Sequence, residues 1–106
     1  IPVAPPTYGK QILTNSPNVI TGLVKNSTGN VLDNVLVIIK RMTGEPVRAL
    51  KTNKLGVFAI TTPLGDGEYI VELDKAKHTG LVFETTKVVL DGKVLPPLEF
   101  IGKQNV

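Results

Sequence analysis

From Asn18 onward the chain alternates apolar and polar residues with a period of two, and turn-forming residues interrupt it about every ten positions. A period of two places successive side chains on opposite faces of an extended strand. No segment carries the i, i+3, i+4, i+7 apolar stripe of a helix. The first strand puts Ile20, Gly22 and Val24 on one face and Val19, Thr21 and Leu23 on the other, and ends at Ser27-Thr28-Gly29-Asn30. The second runs from Val35 to Met42, broken by Thr43-Gly44-Glu45-Pro46, and the third from Val47 to Thr52. Asn53-Lys54-Leu55-Gly56 turns the chain into a fourth strand, Val57–Thr62, and Pro63–Gly67 leads into a fifth, Glu68–Asp74. After a polar connection, Lys75–Gly80, a sixth strand is predicted over Leu81–Leu90 and a seventh over Lys93–Ile101. Asp91-Gly92 between them is a hairpin signal, and Pro96-Pro97 place the last strand at a sheet edge or divide it into two short pieces. The expected fold is all-β, a seven-stranded Greek-key β-sandwich.

Composition narrows the chemistry. The 106 residues fit one domain, and with aromatics at 5% its core must be mainly Val, Leu and Ile. The lack of cysteine removes disulfides, thiolate metal sites and a cysteine nucleophile. A net charge of +3 is too mild to argue for nucleic acid, and none is expected as a partner. No run reaches the ~18 apolar residues of a membrane helix. Residues 1–17 hold Pro2, Pro5, Pro6 and Pro17 and read as a Pro-rich linker or arm, followed by the sandwich over 18–102 and a tail over 103–106. The opening Ile-Pro-Val-Ala-Pro-Pro lacks the features of a signal peptide, and a start at Ile reads as a piece of a longer or processed chain.

The second strand is out of phase with its surroundings. If Val35, Val37 and Ile39 face the core, then Leu36 and Ile38 face outward, where a sandwich strand is normally polar. Either the domain's own loops or arm cover them, or they form a contact surface for a partner or a second copy. Lys40, Arg41, Arg48, Lys51 and Lys54 concentrate positive charge nearby, although Lys40 and Arg41 must point opposite ways. Leu36, Ile38, Lys40, Arg48 and Lys51 are the candidate partner surface.

Other constellations are thin. His78 is the single histidine and, without cysteine, makes no transition-metal site unless carboxylates complete it. Ser16 and Ser27 lack a nucleophile-elbow setting. Glu68, Glu72 and Asp74 share a strand face that reads as solvated, with a calcium site or an acid–base pair as the functional alternative. No cofactor, metal or catalytic residue is assigned.

The segments Ile20-Thr21-Gly22-Leu23-Val24, Thr52-Asn53-Lys54-Leu55-Gly56-Val57-Phe58 and Leu64-Gly65-Asp66-Gly67-Glu68-Tyr69 resemble the carboxypeptidase regulatory-like domain, over about residues 19 to 74. The resemblance implies a transthyretin-like (prealbumin-like) sandwich with Phe58 and Tyr69 as large core fillers. Related collagen-adhesin B-type domains close a Lys–Asn or Lys–Asp isopeptide bond. By register Val24 stands at their Lys position and Leu73 at their acid position, while Lys25 and Glu72 are one residue out of phase. The histidines of the hydroxyisourate hydrolases and the iron ligands of the intradiol dioxygenases are missing. The stretches Pro46–Asn53 and Leu95–Glu99 also resemble domains appended to PrgI-like membrane proteins of bacterial conjugation or type IV secretion systems. That resemblance implies an accessory module on a membrane-tethered or surface parent and no chemistry. The expected function is therefore a non-catalytic spacer or protein-interaction module. A carbohydrate- or cell-wall-binding domain using Tyr8, Phe83 or Phe100 is the alternative.

Overall fold

Two sheets packed face to face enclose one aliphatic core. The structure, a computed structural model, describes residues 8–9, 14–74 and 81–104. The strands are β1 (Thr21–Asn26), β2 (Leu36–Arg41), β3 (Pro46–Lys51), β4 (Val57–Ala59), β5 (Gly67–Asp74), β6 (Leu81–Val82), β7 (Thr86–Leu90) and β8 (Leu98–Gln104). The first sheet has the order β4-β1-β8-β6 and the second β3-β2-β5-β7. β1 and β8 run parallel, and the other pairs are antiparallel.

The all-β sandwich expected from the alternation is the observed fold, with seven strands of three or more residues and the two-residue β6 among the described residues. The departures are local. The predicted sixth strand divides into β6 and β7, which belong to different sheets. The last strand starts at Leu98, because Pro96 and Pro97 lack the N–H that a ladder needs, and it runs on to Gln104 between β1 and β6, inside the sheet and not at its edge. Asp91-Gly92 makes no hairpin. Gly92 has the positive φ of 85° that such a turn uses, but the chain then crosses from β7 in the second sheet to β8 in the first. The Lys75–Gly80 connection, with His78, lies outside the described residues.

The inner faces follow the period of two. Ile20 and Val24 from the β1 segment, Val37 and Ile39 from β2, Val71 from β5, Val88 and Leu90 from β7, and Leu98 and Phe100 from β8 are all buried. Each such side chain contributes about 1.5–3 kcal/mol by leaving water. Gly22 completes the β1 face: a Cβ there would lie 2.3 Å from the Phe58 ring, so the missing side chain is the space that Phe58 occupies. Phe58 also packs on Phe100 with ring centroids 6.0 Å apart.

Two polar residues of the Thr52–Phe58 motif have defined structural work. Thr52 is 4% exposed; its hydroxyl accepts from the Val35 N–H at 3.0 Å and donates to the Leu32 carbonyl at 2.8 Å, tying the β3 end to the approach to β2. The Asn53 carboxamide oxygen accepts from the Leu55 and Val57 N–H groups, forming the turn. Gly56 closes it at φ 74°, and an added Cβ would stand 2.7 Å from the Val24 carbonyl. Thr52→Val keeps the volume but strands a buried donor and a buried acceptor. Urea unfolding should show a loss of about 2–4 kcal/mol.

Candidate functional site

The register of the second sheet decides where the candidate residues go. Opposite Leu36 stand Lys51 on β3 and Asp74 on β5; opposite Ile38 stand Ala49 and Glu72; opposite Lys40 stand Pro46 and Ile70. Ile70 in turn faces Lys87 of β7. Val37 and Ile39 are fully buried on the core side, so Leu36, Ile38, Lys40 and Lys51 share the outer face of this sheet. The out-of-phase reading of β2 is therefore correct in geometry.

Arg48 does not join them. It stands opposite Ile39, on the core side, next to a register shift between Ile39 and Lys40. Its guanidinium donates to the Val47 carbonyl at 2.9 Å and to the Thr62 hydroxyl at 3.0 Å, bridging the edge strand β3 to the loop after β4. Alternation along β3 accounts for its inward position: Arg48 and Lys51 are three residues apart and so face opposite ways, and the register shift falls beyond Arg48, where Lys40 meets Pro46.

Leu36 and Ile38 are half-buried rather than covered or free. Cross-strand neighbours on one face stand about 4.5–5.5 Å apart, within reach of long side chains. Lys40 Nζ meets Glu72 Oε2 at 2.9 Å and Lys87 Nζ meets Glu68 Oε1 at 3.1 Å, so ion pairs frame Ile38 and Ile70. Glu68 and Glu72 therefore pair with lysines across the strands. Beside Ile38 the chain segment Val82–Phe83 passes the end of β5, leaving a groove of about 350 Å³ lined by Ile38, Glu72, Leu73, Asp74, Val82 and Phe83. Sequence periodicity has no means of showing this groove, because it depends on β6 leaving the second sheet.

The aromatic candidates separate. Phe83 lines the groove and Tyr8 is 39% exposed, bridging to Leu98, with partial burial pushing its phenol pKa up. Phe100 is 4% exposed and belongs to the core, which removes it as a sugar-stacking surface. The isopeptide positions are also placed. Val24 is a buried hydrocarbon in β1. Lys25 and Glu72 lie on the outer faces of different sheets, where Lys25 pairs with Glu99 at 3.8 Å and Glu72 with Lys40. The thickness of the sandwich separates that amine from that carboxylate.

One residue that the alternation pattern passes over holds three loops together. Asn18, at φ 59°, donates through Nδ2 to the Leu64 carbonyl (3.0 Å) and to Asp66 Oδ1 (2.7 Å), and its Oδ1 accepts from the Gly92 N–H (2.8 Å). Its backbone N–H donates to the Lys93 carbonyl and its carbonyl accepts from the Leu64 N–H. The only sequence signal is an Asn, tolerant of positive φ, at a strand entrance.

No family profile matches the chain, and none of the curated proteins does. Among solved structures it is similar to the Bacillus anthracis TIE protein, with a TM-score of 0.63 and 21% identity over 81% of this chain. The likeness is one of fold. The chain spans 17% of that protein's length.

The half-burial of Ile38 sets its cost. Ile38→Ala should lower stability by about 1 kcal/mol in urea unfolding, roughly half of full side-chain burial. A loss above about 3 kcal/mol would make Ile38 a core residue and end its candidacy as contact surface.

Proposed function

We propose that this chain is a non-catalytic accessory module, a spacer or protein-interaction domain within a larger bacterial membrane- or surface-associated protein. The observation that carries this reading is the outer face of β2. There Leu36, Ile38 and Ile70 present half-buried hydrocarbon between Lys40–Glu72 and Lys87–Glu68 pairs, on a rigid sheet with an aliphatic core behind it. Such a face fits a partner that covers apolar surface and exchanges charge contacts at the rim. The use of a similar sandwich as 17% of a longer chain supports the modular half of the reading.

A carbohydrate- or cell-wall-binding role has one observation in its favour, the groove that sets Phe83 beside Glu72 and Asp74. An aromatic face with flanking carboxylates is suited to stacking a sugar ring and accepting its hydroxyl protons. Binding of soluble cell-wall glycan that Phe83→Ala abolishes would move this reading to first place.

The module reading is tested in the full-length parent protein in its native cells. A photo-reactive side chain at position 36 should cross-link to another polypeptide, and the parent should fractionate with the membrane or cell surface. An adduct pattern no different from that of a probe at Ser27, or a parent found in the cytosol, would refute it.

A further inference from the structure

The element that holds the first sheet together is also the one a pulling force would load. β1 and β8 are adjacent, parallel and central, paired from Gly22↔Leu98 to Asn26↔Gly102. Chain entering at Thr21 and chain leaving at Gln104 therefore emerge from opposite ends of one parallel ladder. Tension between these ends slides the two strands past each other along their axes, so the ladder bonds share the load instead of breaking singly. Neither strand is free to peel away. β4 holds β1 from Thr21 to Leu23, and the Val24 N–H donates to the Gly56 carbonyl at 2.8 Å while the Leu32 N–H donates to the Val24 carbonyl at 2.9 Å. β6 holds the end of β8 at Lys103 and Gln104. Ile20, Val24, Leu98 and Phe100, each 4% exposed or less, are seated in the core and resist sliding.

The entrance to β1 is secured separately. Asn18 uses its backbone N–H, its backbone carbonyl and both carboxamide atoms to grip the Leu64–Asp66 loop and the Gly92–Lys93 turn. A force arriving from the N-terminal side meets this knot before it reaches the ladder.

We propose that the β1–β8 ladder, with Asn18 at its entrance, is a mechanical clamp that lets the module carry tension along the chain without a covalent cross-link. The inference rests on the reading of the chain as a unit of a longer protein, and it gives the spacer role a physical means. Loads that the clamp resists are those aligned with the β1 and β8 axes; a load across them opens the ladder from one end.

Single-molecule pulling on the whole 106-residue chain tests this, and the absence of cysteine makes a single engineered attachment point unambiguous. Handles at the two termini load β1 and β8 in shear. A handle at Ser27→Cys, an exposed position just beyond β1, with one at the C-terminus loads the same ladder from one end. The terminal geometry should unfold at a force at least about twofold higher, forced unfolding being governed by the barrier along the pulled direction. Asn18→Gly, which keeps the positive φ and removes the side-chain bonds, should lower the terminal force and leave the Ser27 force unchanged. Equal forces in the two geometries, or an equal drop in both with Asn18→Gly, would overturn the clamp. Neither result bears on the cross-linking and fractionation that test the module reading itself.

Discussion

The contact on which the sandwich depends is the one between Phe58 and the bare backbone of Gly22. β1 lies between β4 and β8 in the first sheet, and Gly22 is paired with Phe58 on one side and Leu98 on the other. A side chain at Gly22 would occupy the space of the Phe58 ring, with its Cβ 2.3–2.4 Å from two ring carbons. With only hydrogen there, the ring lies over β1 and reaches Phe100 on β8. One aromatic thus spans the three principal strands of the sheet. In a chain with three phenylalanines, that single placement supplies much of the bulk that the aliphatic residues cannot.

The remainder of the structure follows from holding β1 in that position. Gly56 can approach the Val24 carbonyl only because it too lacks a Cβ, so the turn before β4 packs directly against β1. Thr52 ties the end of β3 to the approach to β2, through a buried hydroxyl rather than through hydrocarbon alone. Asn18 fixes the opposite end of β1. The polar groups at these junctions each have their partners supplied, in keeping with the cost of leaving a buried donor unpaired.

How much of this is legible in the sequence depends on the range of the interaction concerned. Period-two alternation locates the first five strands, because that signal is local and the core face is buried. The phase of Leu36 and Ile38 is legible for the same reason. Asp91-Gly92 misleads because its turn chemistry is real while its flanking strands lie in different sheets; sheet membership is a long-range property that no dipeptide carries. Arg48 stands three residues from Lys51, so the alternation itself puts the two on opposite faces, and Phe100 reads as available because its burial depends on Phe58, which is distant in the chain. The groove beside Phe83 and the Asn18 hub arise from loops meeting across the fold, where periodicity is silent.

The outer face of the second sheet and the β1–β8 ladder are two consequences of one arrangement: a core that commits its hydrocarbon inward and leaves charged pairs to frame what remains outside. The central claim is that Gly22 is glycine because Phe58 needs the room. A double-mutant cycle with Gly22→Ala and Phe58→Leu, followed by urea unfolding, measures it directly. The smaller leucine side chain at position 58 should relieve the clash, so the double variant should be more stable than the sum of the two single losses by about 1–3 kcal/mol. Strictly additive losses would contradict the account.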